Sequence, residues 1–255
     1  MDMRISGSGS IPGGEYENVR VSGSGRCNGN IKCKSFHGSG ATHCTGSVEC
    51  TEDFHASGSG HIDGDLKAND IHCSGSLHID GSAEATTSLR SSGSGHIAKN
   101  CISHGVLHAS GSFSVGGEVE AEKVEFSGVV NCEGLVNAEE IRMNLGLRNP
   151  SRVGALGGSR IVVEYTHRGI DEEGGFYLFG LRFGRVKSSA EKKGTILRVR
   201  ESIEGDEITL EGVETPLVVG KNVRIGDGCR IGTVRYSGVL EVSEGAAVEN
   251  KEFIG

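Results

Sequence analysis

The chain has 255 residues, a formal net charge of −8 at pH 7, 42 glycines, 3 prolines and no tryptophan. The acidic balance argues against nucleic acid as a main partner, because phosphate binding needs a basic face. The scarcity of proline, and the lack of glycine at every third residue, exclude collagen. No apolar run approaches the roughly 20 residues of a spanning helix, and the first residues carry no apolar signal core, so the sequence predicts a cytoplasmic protein.

A Ser-Gly tract recurs along the chain in steps of 16 to 18 residues, with copies that begin at Ser6, Ser22, Ser39, Ser57, Ser74, Ser92, Ser110 and Ser127, and a degenerate copy at Asn144. A period this steady marks a repeat architecture. Within each unit, apolar residues stand at even intervals between turn residues, which is typical of short strands. The unit is too short for a helical repeat or a propeller blade, so it predicts one triangular coil of an all-β β-helix.

Alignment of the units predicts four columns of inward side chains that stack from coil to coil. The first column is Ile11, Cys27, Cys44, Ile62, Ile79, Ile97, Val115 and Cys132. The second is Ile31, Val48, Leu66 and Ala83, then Val119 and Val136 after a slip near Asn100. The third, of small residues, is Cys33, Cys50, Ala68, Ala85, Ala121 and Ala138. The fourth is Val19, Phe36, Phe54, Ile71, Leu89, Leu107, Val124 and Ile141. The cysteines are predicted to be reduced thiols that fill inner positions.

The pattern breaks at Leu147-Arg148-Asn149-Pro150, and proline cannot donate to a strand ladder. We therefore predict two domains: a β-helix of eight to nine coils over residues 1–148, and a smaller β-rich domain over residues 149–255. The second domain carries an insertion at 167–194. Strands are predicted at 161–165 and 196–200, and a spacing of 17 residues relates Ile208, Ile225 and Val242.

The phased coils, followed by Ile203-Glu204-Gly205-Asp206 and Gly220-Lys221-Asn222-Val223-Arg224-Ile225-Gly226, resemble the bactofilin family, and more closely its longer Gram-positive members, the polymer-forming cytoskeletal proteins. The resemblance implies a right-handed β-helix that polymerises into non-polar filaments without nucleotide. It also implies a bacterial scaffold that serves cell shape, surface organelles or motility. Many members carry a membrane-targeting stretch before a single β-helix, and this sequence departs from them by its second domain.

A self-assembling scaffold offers its ends as contact surfaces, and the predicted contacts are the first coil, around Ile5 and Ile11, and the far end of the chain. The partner is a second copy of the chain, while a membrane surface or another bactofilin-like protein stays open. The aromatic run Phe176, Tyr177, Leu178, Phe179 and Phe183 predicts either a patch for a membrane or partner, or a hairpin that covers an open end of the rod. The second interpretation is favoured.

Histidines recur in two outward positions, His43, His61, His78 and His96 in one and His37, His55, His72 and His108 in the other, where Arg90 interrupts. Such rows could bind a transition metal or respond to pH near 6.5. The favoured interpretation is a surface ladder of stacked rings, so neither a metal nor a cofactor is predicted.

No catalytic arrangement or phosphate-binding loop is visible in the sequence, and a non-enzymatic scaffold is predicted. The alternative is a hexapeptide-repeat acyltransferase or a metal-dependent β-helix enzyme, because Val219-Gly220, Ile225-Gly226 and Ile231-Gly232 are spaced by six. The run at 219–232 covers barely one coil. His167, the single histidine after residue 150, lies outside it.

Overall fold

A computed structural model describes residues 1–166, 176–178, 181–183 and 194–255. Every regular element in these ranges is a β-strand, and no helix is formed there. Twenty-four strands join in one sheet, and every pairing given within it is parallel. The sheet winds as a β-solenoid of about 13 turns, which confirms the predicted fold class. At the ~4.8 Å spacing of neighbouring strands, the solenoid is about 60 Å long.

The strands that precede residue 100 are mostly short: β1 (Met3–Ile5), β2 (Ser8–Glu15), β3 (Asn18–Val21), β4 (Ser24–Cys33), β5 (Ser35–Gly38), β6 (Ala41–Cys44), β7 (Val48–Cys50), β8 (Asp53–Ala56), β9 (Ser59–Ile62), β10 (Leu66–Cys73), β11 (Ser76–Ile79), β12 (Ala83–Ser91) and β13 (Ser94–Ile97). Several later strands run on through bends: β14 (Cys101–Val115), β15 (Val119–Asn137), β16 (Glu140–Leu145), β17 (Ser151–Gly157), β18 (Arg160–Tyr165), β19 (Phe176–Leu178), β20 (Leu181–Phe183), β21 (Leu197–Val199), β22 (Ser202–Leu210), β23 (Val213–Ile225), β24 (Arg230–Tyr236), β25 (Leu240–Val242) and β26 (Ala247–Phe253).

The strand register confirms the predicted inward columns. The first column runs from Ile11 to Cys132 as predicted, and it continues through Val153 to Val199. These side chains are buried, because alternate residues of each strand face the interior of the coil. The total of about 13 turns exceeds the eight to nine coils predicted for residues 1–148, because the ladder continues through the second predicted β-segment.

The slip predicted near Asn100 is wrong. Cys101 pairs with Ala83 on one side and Val119 on the other, so it occupies the missing place in the second column. Ser103 occupies the third column in the same way, and the pairing of β14 with β15 shifts by a bulge between Ser103 and Val106. The buried Ser103 hydroxyl donates a hydrogen bond to the Val106 carbonyl, at 3.2 Å, which allows a polar residue to stand among alanines.

The first glycine of each Ser-Gly tract lies at a bend where neighbouring coils meet backbone to backbone. A Cβ atom on Gly75 would lie 2.7 Å from the Ser57 carbonyl oxygen and nearer still to that of Gly58. The next residue, Ser76, donates its backbone N–H to the Gly58 carbonyl at 3.0 Å. The tract therefore recurs because any side chain at this place would push the coils apart.

The ladder continues across the loop at 146–150, where the sequence predicted an end of the first rod. Cys132 pairs with Val153, and Ile141 pairs with Ile161, so the loop is an insertion into one coil. The two predicted segments thus stack coil on coil. The division of the chain into two domains at residue 149 stays a prediction.

The register predicted for the C-terminal coils is wrong by two residues at its first step, from Ile208 to Ile225, and is confirmed at its second, from Ile225 to Val242. Ile208 pairs with Val223, and Ile225 pairs with Leu210 and Val242. The coil from 208 to 223 is shorter than the 17 residues assumed. A slip of two residues leaves inward residues inward, so the apolar pattern alone does not reveal it.

Candidate functional site

The first coil forms one end of the solenoid. Strand β1 pairs with β3, and strand β2 pairs with β4, so the opposite edge of each strand has no neighbour among the described strands. Ile5 and Ile11, the predicted contact residues, are 8% and 0% exposed. Both side chains therefore face the interior of the coil. What this end presents to a partner is its backbone edge, and the assignment of the two isoleucines to a contact stays a prediction.

Gly7 leaves this first end flat. In each interior coil the corresponding glycine faces the preceding coil, as Gly23 faces the Gly7 carbonyl. A Cβ atom built on Gly7 would meet nothing within 4 Å. The Cα–Cβ bond at Gly7 would point away from the molecule, so a side chain at this position would project from the end surface without disturbing the coil.

The last coil, formed by β25 and β26, is the other end, and it combines exposed apolar side chains with charged ones, since Lys251 pairs with the buried Val234 of the coil before. Its inward side chains Leu240, Val242 and Val248 are only partly buried, whereas their counterparts one coil earlier are buried. Three of the five large apolar side chains that are exposed in the described residues lie here, namely Val239, Phe253 and Ile254, which are 57–60% exposed. The last coil therefore leaves several apolar side chains exposed beside charged ones.

The first histidine row, His43, His61, His78 and His96, is a continuous outward ladder, as the sequence predicts. Successive ring centroids lie 5.0, 4.8 and 4.5 Å apart, which matches the coil spacing. The side chains of the first three are 39–44% exposed. The row is therefore accessible to solvent along its length.

Two carboxylates accompany this row. Asp63 and Asp80 stand two residues after His61 and His78, on the same outward face. The Asp63 carboxylate lies 2.7 Å from His43 Nε2 and 3.4 Å from His61 Nε2. The Asp80 carboxylate lies 3.2 Å from His61 Nε2 and 2.8 Å from His78 Nε2. The hydrogen bond from His61 lowers the pKa of Asp80 below its ordinary value.

The second histidine row, His37, His55, His72 and His108, stacks in register through Arg90, also as predicted. Burial lowers the pKa of His37 and His72, and the neighbouring cationic groups lower it further. Within the described residues, the clusters that could hold a metal include none of these histidines. The two rows therefore differ in their carboxylate partners, and the second row is also less regularly stacked, since His37 and His55 lie 5.9 Å apart.

The aromatic run lies on the insertion. Strands β19 and β20 form a two-stranded antiparallel ladder in which Phe176 pairs with Phe183 and Tyr177 with Arg182. Phe179 and the remainder of 167–194, apart from Gly194 and these two strands, lie outside the described residues. A patch for a membrane or a partner, and a cover for an open end of the rod, both stay predictions.

An open groove of about 820 Å³ on the C-terminal coils is the place to look for the acyltransferase alternative. It is lined by arginine and glutamate side chains, several of which form ion pairs, such as Arg198 with Glu214 and Arg200 with Glu133. Its one cysteine, Cys132, is buried, and burial raises the pKa of the thiol to about 11. No histidine lines the groove in the described part of the chain, and His167 lies outside that part. Among the described residues, the groove therefore offers no activated nucleophile of the cysteine–histidine kind.

The described residues thus form a long parallel solenoid whose first coil has an open backbone edge. Residues 1–84 match the family model of bactofilin, which is described as polymer-forming cytoskeletal. The match confirms the resemblance over these N-terminal coils.

An uncharacterized protein of Bacillus subtilis (strain 168), YhbF, is 31% identical over 118 residues, which are 46% of this chain and 41% of that protein. The chain thus covers about two fifths of this relative's length. No solved structure gives a significant match. Among the described residues, no helix is long and apolar enough to cross a membrane.

Proposed function

We propose that this chain is a structural scaffold protein of the cytoskeletal type, and that it assembles by end-to-end stacking of its solenoid without nucleotide. The observation that carries the proposal is the parallel sheet whose first and last coils each pair on one side only among the described strands. Unpaired strand edges are templates for further pairing. Repeated pairing at the two ends of one rod produces a filament.

The difference between the two ends favours a non-polar filament. Contact between two last coils would cover the exposed side chains of Val239, Phe253 and Ile254 on both molecules. A head-to-tail contact would instead place these exposed apolar side chains against a first coil whose own apolar residues, such as Ile5 and Ile11, are already buried. Two last coils in contact, and two first coils in contact, would alternate along the filament.

Stacking of strands needs no energy source, and the sequence contains no Gly-x-x-x-x-Gly-Lys-Ser/Thr loop for a nucleotide. The family model that matches residues 1–84 is described as polymer-forming cytoskeletal, which supports a scaffold role. We place the polymer in the cytoplasm, and we regard a second copy of the chain as its principal partner. Roles in cell shape or motility are taken from the resemblance alone.

The test is to purify the chain without a tag and to follow assembly by sedimentation and negative-stain electron microscopy, with and without ATP or GTP. We expect filaments whose amount rises with protein concentration and does not depend on nucleotide. A species that stays monomeric at high concentration would refute the proposal, and so would assembly that requires nucleotide.

Variants at the two ends locate the contacts. Phe253→Glu and Val239→Glu place a charge on the last coil, and Gly7→Val places a side chain on the first coil. Each should raise the concentration needed for assembly about tenfold or more. The matched controls lie on the lateral loop, where Leu147 is 42% exposed and a Cβ on Gly146 meets nothing within 4 Å. Leu147→Glu and Gly146→Val should assemble normally, and equal loss in the controls would rule out stacking through the ends.

A further inference from the structure

The first histidine row contains two overlapping sets of metal-ligand atoms. One set is His43, His61 and Asp63, and the other is His61, His78 and Asp80. Within each set the ligand atoms all lie within 4.8 Å of one another. In a tetrahedral zinc site with bonds of about 2.0–2.1 Å, two ligand atoms lie about 3.3 Å apart. The distances of 2.7–3.4 Å between Nε2 and carboxylate oxygen are already close to that separation.

Ring stacking alone does not account for this arrangement. His55 and His72 in the second histidine row stack at 4.9 Å and 4°, so stacking proceeds without a carboxylate set. In the first row, by contrast, three successive rings turn the same atom, Nε2, toward a carboxylate. His61 and His78 meet at 69°, an edge contact rather than a stack, which is where both rings approach Asp80.

The backbone holds these ligands in place. Asp63 and Asp80 each donate a backbone N–H to the coil beneath, at 2.9 Å to the carbonyls of Cys44 and Ile62. His43 and His61 lie on paired strands, β6 and β9, in register. The set therefore rests on regular strands, and only side-chain rotation is needed to bring three donors around one ion.

We propose that this row binds one divalent late first-row transition ion, such as Zn²⁺, at either of two overlapping sites that share His61. Two imidazole nitrogens and one carboxylate oxygen suit Zn²⁺, Ni²⁺ and Cu²⁺, whereas Mg²⁺ and Ca²⁺ prefer oxygen ligands alone. The ion binds each neutral ring at Nε2 while the ring proton stays on Nδ1, so a ring that was imidazolium releases one proton to solvent, and a fourth position is left for water. Since His61 offers one ligand atom toward both carboxylates, the two sites exclude each other. Because its ligands come from neighbouring coils, the ion ties those coils together and stabilises the folded state.

The experiment uses the full chain without a tag, stripped with a chelator and titrated with Co²⁺ by visible absorption and with Zn²⁺ by calorimetry. We expect one ion per chain, the visible bands of a tetrahedral Co²⁺ complex, and displacement of Co²⁺ by Zn²⁺. Thermal unfolding should shift upward with Zn²⁺ and not with Mg²⁺ or Ca²⁺. Absence of a bound ion in both titrations would overturn the proposal.

Variants distinguish this site from adventitious surface binding. His61→Asn removes the shared ligand and should weaken binding about tenfold or more. His43→Asn leaves the second site intact and should weaken it only roughly twofold, the statistical loss of one of two sites.

Two controls are matched to these variants. His96→Asn removes a row member that has Ala98 where its neighbours have aspartate, and His55→Asn removes a stacked ring from the second histidine row. Both should bind Co²⁺ as the native chain does. Asp63→Asn combined with Asp80→Asn leaves all histidines in place and should weaken binding like His61→Asn. Native binding by His61→Asn, or equal loss in both controls, would overturn the assignment.

Discussion

Substitution of one glycine tests whether the Ser-Gly tract exists to let coils approach. We consider Gly75→Ala in the interior of the solenoid and Gly7→Ala in the first coil. Neither glycine has a backbone conformation reserved for glycine, so both positions tolerate alanine as far as the backbone is concerned. They differ in what the added methyl group meets: two carbonyl oxygens of the preceding coil at Gly75, and nothing within 4 Å at Gly7.

The cost at Gly75 follows from these contacts. Real Cβ atoms essentially never approach another atom closer than 3.0 Å, so the two coils must separate locally by about 1 Å. That movement lengthens the 3.0 Å hydrogen bond from the Ser76 N–H to the Gly58 carbonyl beyond a useful distance. Overpacking costs about 1–3 kcal/mol and the lost hydrogen bond about 0.5–1.5 kcal/mol, so we expect a loss of about 2–4 kcal/mol. Gly7→Ala should instead gain about 0.4–1 kcal/mol, because alanine restricts the unfolded chain.

The assay is urea unfolding of both variants at a protein concentration where light scattering detects no assembly. Hydrogen exchange in the coils around residue 75 should show the damage to be local, because each coil contacts only its neighbours. The reasoning is refuted if Gly75→Ala and Gly7→Ala have the same free energy of unfolding. It is also refuted if the exchange protection lost in Gly75→Ala is spread evenly over the solenoid.

Two further predictions concern the histidines and the core. Burial lowers the pKa of His37 and His72, so the folded state takes up their protons less readily than the unfolded chain. The stability that these groups contribute is fully present above about pH 6.5 and is lost as the pH falls below it. The midpoint of thermal unfolding should therefore drop between about pH 7.5 and 5.5. The drop should be smaller in the double variant His37→Gln and His72→Gln. Phe36 is 1% exposed and stacks on Phe54 at 5.3 Å; Phe36→Ala should lower the free energy of unfolding by about 3–5 kcal/mol in a urea titration, and a loss below about 1 kcal/mol would contradict the packing.

The sequence predicted the coil because two periods coincide in it. The alternation within each strand identifies inward positions, and the recurring tract marks where each coil begins, so that the columns from Ile11 and Val19 follow directly. Cys101 and Ser103 were not assigned to their columns, because a serine in a column of alanines resembles a break in the pattern. Their places are apparent only from the register and from the hydrogen bond that satisfies the serine hydroxyl.

The sequence predicted where the residues of the candidate sites lie on the coils, but not how their side chains are arranged. The spacing of His43, His61 and His78 predicts a row, because one coil returns the chain to the same outward place. That two aspartates turn toward the same nitrogen atoms depends on side-chain rotamers, which the spacing does not specify. The incomplete burial of the last coil was also missed, because Leu240 and Val242 resemble ordinary inward residues until the register shows that no described strand covers them.

The two ends of the solenoid differ in the interactions that would stabilise a contact between two molecules. A contact between last coils would bury three side chains that are 57–60% exposed, worth about 1 kcal/mol each on either molecule. A contact between first coils would add backbone hydrogen bonds, each worth about 0.5–1.5 kcal/mol net, and little apolar area, because Ile11 is already fully buried. Both ends offer an open backbone edge for hydrogen bonds, and the contact between last coils adds apolar burial to them, so the last coils should pair first. Assembly would then pass through dimers joined at their last coils, and filament growth would depend on the weaker contact at the first coil, where Gly7 keeps the surface flat.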